Sequence, residues 1–246
     1  MSNYDFLADF YDELTENVEY DKRAEYIYSL LKEYGAQDGC RILDLACGTG
    51  SLLCRFQNFG FKVIGLDASE EMLVRADYKS QGNVMLLKSQ MQDFQLSEKV
   101  DACVCSLDSI NHLSNDEDVK SAFKCVREAL NDGGLFIFDV NTVYKHNEVL
   151  ADNTFAFEGD DYFICWDNEA LGNNTERIII DIFLEENGMY RRFTEDFNEK
   201  AYETEELLSF LEPYFDVIGI FDDLSKNSPK PDSERIYFVC KGKNNG

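Results

Sequence analysis

The chain has 246 residues, of which 44% are hydrophobic, and its 48 acidic against 23 basic residues give a formal net charge of −25. That length suits one α/β domain with an insertion, and the charge repels phosphate backbones and anionic membrane surfaces, which argues against nucleic acid or membrane partners and for a small molecule. No stretch approaches the ~18 apolar residues of a membrane span, and the acidic start MSNYDFLADFYDEL lacks the cationic opening of a signal peptide.

Eight cysteines without an export signal read as thiols of a reducing compartment, so a cytoplasmic location is expected. No C-x-x-C occurs, and no metal site is expected. Nothing in the sequence fixes an oligomeric state.

Residues 1–40 read as two helices, the first carrying the aromatics Tyr4, Phe6, Phe10 and Tyr11. In the second, Ala24, Ile27, Leu30, Leu31 and Tyr34 recur at helical spacing and Gly35 provides the stop. From residue 41 strand and helix alternate. Strands are expected at 41–46, 62–66, 84–88, 100–106 and 135–140, with helices at 51–59, 69–79 and 116–130. Such alternation implies a parallel sheet covered on both faces, with ligands bound at the carboxyl ends of its strands.

The first strand end is the most informative stretch. Residues 42–53, ILDLACGTGSLL, pass from an apolar strand through a glycine turn into a helix, whose first N–H groups suit a polar or anionic group. A nucleotide-like cofactor is expected there. The order G-x-G also opens the dinucleotide fingerprint G-x-G-x-x-G. Here the third position is Leu53, and Asp44 lies inside the strand four residues before Gly48, where a nicotinamide fold carries apolar side chains. At the second strand end Asp67, 17 residues beyond Gly50, can accept hydrogen bonds from both ribose hydroxyls, a geometry that serves NAD and S-adenosylmethionine alike.

Asp44-x-Ala46-x-Gly48-x-Gly50 resembles motif I of the class I S-adenosylmethionine-dependent methyltransferases. The resemblance extends over nearly the whole chain and implies a Rossmann-like, seven-stranded, mostly parallel sheet whose last strand is antiparallel. It implies S-adenosylmethionine as cofactor, with Asp44, Ala46, Cys47, Gly48, Thr49 and Gly50 around its amino-acid moiety and Asp67 and Ala68 at the ribose. Met91, Gln92 and Asp93 would lie at the adenine, with Met72, Ser106 and Leu107 completing the site. Tyr11 and Tyr20 would fold over the cofactor as part of an N-terminal lid, residues 1–40. After the fourth strand, His112 is the candidate base, able to take a proton from an amine or hydroxyl near neutral pH. The Pro-Pro and Pro-Cys signatures of nucleic-acid methyltransferases are absent from that loop; the three prolines are Pro213, Pro229 and Pro231.

Beyond the core, residues 41–150, the alternation breaks. Residues 151–200 carry aromatic and β-branched runs separated by turn residues, and Asn187-Gly188 is a hairpin signal. A small antiparallel insertion is expected, resembling the acceptor pocket of aminosugar and glycine N-methyltransferases, with Tyr162, Trp166, Tyr190, Arg191 and Arg192 as candidate lining. Residues 201–246 should complete the core with a helix and two strands. The expected activity is methyl transfer to a small-molecule acceptor, nitrogen favoured over oxygen. The alternatives are an NAD(P)-dependent oxidoreductase and a non-catalytic S-adenosylmethionine-binding protein.

Overall fold

The computed structural model describes residue 15 and residues 18–244. The expected first helix, with Tyr11, lies outside the described residues. The second is α1 (Tyr20–Glu33), which buries Ala24, Ile27, Leu30 and Leu31 along one stripe. From there the chain runs β1 (Arg41–Leu45), α2 (Ser51–Asn58), β2 (Lys62–Asp67), α3 (Glu70–Ser80), β3 (Met85–Lys88), β4 (Val100–Cys105), α4 (Asp116–Ala129) and β5 (Leu130–Asn141). A short π-helical turn, Lys145–Leu150, leads into β6 (Thr154–Glu158), β7 (Tyr162–Gly172), β8 (Thr175–Glu186) and β9 (Met189–Lys200). The chain then closes with α5 (Thr204–Leu211), β10 (Phe215–Asp222) and β11 (Arg235–Gly242).

Seven strands form the main sheet in the order β10-β11-β5-β4-β1-β2-β3. Strand β11 is antiparallel to both neighbours and the β1, β2, β3, β4 and β5 pairings are parallel. Because successive strand residues point to opposite faces, the apolar runs split into two layers. Leu43, Cys103, Cys105, Phe136, Phe138 and Phe238 pack under α4 and α5. Ile42, Ala102, Val104, Ile137 and Tyr237 pack under α1 and α2. All eight cysteines are free thiols.

Two departures from the expected boundaries have local causes. Strand β5 begins at Leu130 rather than 135, since Leu130 pairs with Val100 before an irregularity that carries Asn131–Gly134; Gly133 supplies the left-handed φ of 71° within it. The other departure concerns the missing third glycine of the turn. A dinucleotide fold uses that glycine to let helix approach strand. Here Leu53 occupies the helix position and Gly65 of β2 makes the room: a Cβ on Gly65 would lie 2.6 Å from Leu53 and 2.9 Å from the Cys47 sulfur.

The insertion is a four-stranded antiparallel meander, β6-β7-β8-β9. Its register places Ile164, Ile182 and Phe193 in one cross-strand row, Trp166, Ile180 and Glu195 in the next, Asn168, Ile178 and Phe197 in a third, and Ala170, Glu176 and Glu199 in a fourth. Directly opposed residues share a face. The first row packs with Met72 of α3. The third reaches the loop after β4, where the Phe197 and His112 rings lie 5.2 Å apart. Asn111 anchors this end of the insertion, its Nδ2 donating to the Asn141 carbonyl at 3.1 Å and the Lys200 carbonyl at 2.9 Å, while its Oδ1 accepts from Asn141 N at 3.0 Å.

Candidate active site

The carboxyl ends of β1, β2 and β4 and the turn after β3 surround one cavity of about 320 Å³. Its floor is the glycine turn, held by Cys47 N donating to Leu66 O and Gly50 N to Cys47 O, both at 2.9 Å. Ala46, Gly48 and Gly50 all take left-handed φ values, 59°, 53° and 79°. An alanine there is strained by about 1–2 kcal/mol, the kind of cost that concentrates at functional sites. Gly50 serves as the N-cap residue of α2 and does not line the cavity, whereas Ala46, Cys47, Gly48 and Thr49 do.

Asp67 ends β2 and organises the rim. Its Oδ2 accepts from Gly48 N at 2.8 Å and its Oδ1 from Ser69 N at 2.9 Å. Burial raises this carboxyl, and the Ser69, Gly48 and Ala68 amides pull it back towards ionisation. Ser69, not Asp67, caps α3 by accepting from Met72 N.

Asp44 is only 2% exposed. Burial, with the Asp67 charge adding to it, pushes its carboxyl up to about 8. Its Oδ2 has no hydrogen-bond partner, and neither does Gln92 Oε1 or Ser106 Oγ; all three residues line this cavity. Buried polar atoms are rarely left unpaired, so a ligand offering a cation beside Asp44 and hydrogen-bond donors beside Gln92 fits the site. Tyr20, Ala68, Met72, Met91, Leu107 and His112 complete the expected residues found on its walls. Asp93 is not among them. The tight turn in which Asp93 N donates to Gln90 O at 3.1 Å puts it in a separate shallow groove with Gln95 and Lys124. The amide of Gln92 takes the cavity-facing place instead.

The loop after β4 is held by a group to which the sequence reading gave no role. Asp139 of β5, fully buried, accepts from Leu107 N and Asp108 N, both at 2.9 Å, and pairs with Arg235 of β11. Leu107 and Asp108 adopt left-handed φ values of 60° and 53° against this carboxylate. Arg235 also reaches Asp108 at 2.8 Å, and Asn141 Nδ2 donates to the other Asp108 oxygen at 2.7 Å. Burial alone would raise Asp108, but Arg235, Lys145 and His112 together hold it below the usual carboxylate range. The visible signal was an acid inside an apolar run: Asp139 in FIFDV stands to β5 as Asp44 in ILDL stands to β1.

His112 closes the short helical turn Ser109–His112. Burial lowers its pKa and Asp108 partly restores it, so the ring is neutral at pH 7. Of the insertion residues named as pocket candidates, Tyr162 and Trp166 share the face of Ile164 and Asn168, which are buried. Tyr190 is 65% exposed, and Arg192 pairs with Asp181 at 2.6 Å on the opposite face, as the two-residue period requires. Among the described residues no group of three or more His, Cys, Asp or Glu could hold a metal ion, and no helix is long and apolar enough to cross a membrane.

Residues 42–134 match the family model described as a methyltransferase domain. YqeM of Bacillus subtilis (strain 168), which carries the name of a methyltransferase, is 35% identical over 97% of this chain and 96% of its own. A crystal structure of an S-adenosylmethionine-dependent methyltransferase from Clostridium acetobutylicum superposes with a TM-score of 0.89 at 32% identity, covering 98% of this chain and 99% of that one. A glycine/sarcosine N-methyltransferase from Aphanothece halophytica is 28% identical over 67% of this chain and 62% of its own length. The acid-bearing strand, the glycine turn, the carboxylate at the end of β2 and these full-length likenesses agree, and the chain belongs to the class I S-adenosylmethionine-dependent methyltransferases.

Proposed function

We propose that this methyltransferase acts on a small amine held between the cofactor cavity and the inner face of the insertion. The observation that carries the reading is the register of that face. Its first row packs on Met72 and its third on His112, both cavity residues, which supports a place for the Trp166–Ile180–Glu195 row above the cavity mouth between them. Two rows span about 13 Å at ~3.3 Å per residue, room for a small acceptor and too little for a polymer. The glycine/sarcosine N-methyltransferase likeness supports nitrogen as the atom methylated.

When bound, S-adenosylmethionine would supply an activated sulfonium methyl group for a lone pair on the acceptor. In this reading Asp44 holds the cofactor's ammonium, Asp67 accepts from its ribose hydroxyls, and Gln92 and Met91 receive the adenine edge and face. Tyr20, at the start of α1 and on the cavity wall, would cover the edge of the bound cofactor. The insertion roof excludes water and aligns the acceptor; such alignment is worth up to about 7–11 kcal/mol in favourable intramolecular cases. His112, neutral at pH 7, takes the proton the acceptor nitrogen must lose. The eight free thiols support a cytoplasmic setting.

The test is labelled methyl transfer from S-adenosylmethionine screened against amines, aminosugars and hydroxyacids. Transfer to an amine or aminosugar is expected. Transfer confined to hydroxyacids overturns the nitrogen assignment, and silence across the panel favours a cofactor-binding protein without turnover.

A further inference from the structure

The insertion buries three acids, Glu176, Glu195 and Glu199, and the last of them stands against both histidines. Glu199, near the end of β9, is 5% exposed. Its Oε1 lies 3.4 Å from His112 Nε2 and its Oε2 3.9 Å from His146 Nε2. Asn141 adds a side-chain hydrogen bond. The groups that face it come from five elements: His112 and Asp108 from the loop after β4, Asn141 from β5, Lys145 and His146 from the helical turn, Arg235 from β11, and Glu176 across the ladder on β8. Among the described residues, the basic side chains within ion-pair distance of it are the two histidines.

We propose that Glu199 and His112 work as one proton-holding pair, with Glu199 the positioning residue that fixes the His112 ring and balances the charge His112 gains when it takes the acceptor's proton. The inference rests on the reading of His112 as the base. In the step, an N–H bond of the acceptor breaks with its electrons left on nitrogen and an N–H bond forms on the imidazole. Once Glu199 has ionised, the resulting imidazolium is neutralised by its carboxylate, so the charge gained by His112 is matched within the enclosed site. That is the economical form of proton transfer in a low-dielectric setting, where an unmatched charge is expensive.

Burial, with Asp108 close by, raises the Glu199 carboxyl to about 8, while Lys145, Arg235 and Asn141 oppose the rise. The pair therefore loses its last proton on the alkaline side of neutrality, and interacting groups of this kind titrate together. The chain has two histidines, His112 and His146, so their imidazole resonances can be separated with a His146→Asn variant.

The test is a pH titration of histidine-labelled protein, with and without saturating S-adenosylhomocysteine. In the wild type the His112 resonances are expected to move near pH 8 as Glu199 ionises, and in Glu199→Gln that inflection disappears while S-adenosylhomocysteine affinity and melting behaviour confirm an intact fold. Persistence of the inflection in Glu199→Gln, or its absence from the wild type, overturns the pairing. With an acceptor from the screen, Glu199→Gln should lower kcat about 10- to 100-fold and remove the rate increase near pH 8, and Glu199→Asp should restore part of both. An unchanged turnover in His112→Ala removes the base reading by itself and leaves the titration result standing.

Discussion

Replacing Asp44 by Asn should move cofactor affinity and apo stability in opposite directions. The carboxyl sits at about 8 in the folded protein against an ordinary 3.8, through burial first and the Asp67 charge second. A raised acid holds its proton in the folded state after the unfolded chain has released it. Stability is therefore full below the unfolded value and falls as pH rises from 3.8 to about 8, by about 1.4 kcal/mol per pH unit. At pH 7 that amounts to roughly 4 kcal/mol, or about 2–4 after local relaxation, and at pH 5 to about 1.5. Asparagine fills the same space and carries no such cost. Apo Asp44→Asn should thus melt roughly 5–15 °C higher at pH 7, at the ~2–4 °C per kcal/mol of a chain this size, with the gap shrinking towards pH 5. The same change takes away the charge proposed to face the cofactor's ammonium, and losing one partner of a buried charge pair costs about 2–5 kcal/mol, a Kd for S-adenosylhomocysteine roughly 30- to 5,000-fold weaker. Scanning calorimetry of the apo protein at both pH values and titration calorimetry with S-adenosylhomocysteine check the two halves. A variant that melts at or below the wild type at pH 7, or binds within threefold of it, refutes the reasoning.

Asp67→Ala should abolish measurable S-adenosylhomocysteine binding, because the change removes the proposed ribose acceptor and also the carboxylate that holds the Gly48 and Ser69 amides; calorimetry retaining wild-type affinity would contradict this. In Gly65→Ala the new methyl would meet Leu53 and Cys47 side chains, and urea denaturation should show a loss of about 1–3 kcal/mol. Leu53→Ala in the same background should recover part of that loss, since it vacates the nearest contact. Asp139→Asn leaves Arg235 short of a buried partner and weakens the hold on the Leu107 and Asp108 amides, costing about 3–5 kcal/mol in the same assay.

The core of the fold was readable because a buried parallel sheet writes itself as short apolar runs between amphipathic helices. The β1, β2 and β4 positions and the Asn187-Gly188 turn follow from that pattern and from turn chemistry alone. The glycine turn and Asp67 were readable for a related reason, since each needs a special residue at a strand end. Two kinds of feature stayed hidden. Asp93 and Gln92 are neighbours in a tight turn, and which one faces the cavity depends on backbone torsion that no spacing encodes. The Asp139–Arg235–Asp108 network and the Glu199–His112 contact join residues 31 to 127 positions apart, and a charged residue on a strand looks the same in sequence whether it faces solvent or a buried partner. The face of the insertion was undetermined for the same reason: alternation in residues 162–200 mixes aromatic, aliphatic and acidic side chains on both sides.

The cross-strand rows of the insertion also bear on how such an enzyme can change its acceptor. Positions 166, 180 and 195 belong to a sheet tied to the core through Met72 at one end and through Asn111, His112 and Lys200 at the other. The glycine turn, Asp44 and Asp67 belong to different elements with their own hydrogen bonds. On the proposed function, substitutions in that middle row reshape the ceiling over the acceptor while the grip on the methyl donor stays as it is. Donor recognition and acceptor choice would then be written in separable parts of the chain, with new acceptor preferences open to this scaffold by repainting one strip of one small sheet.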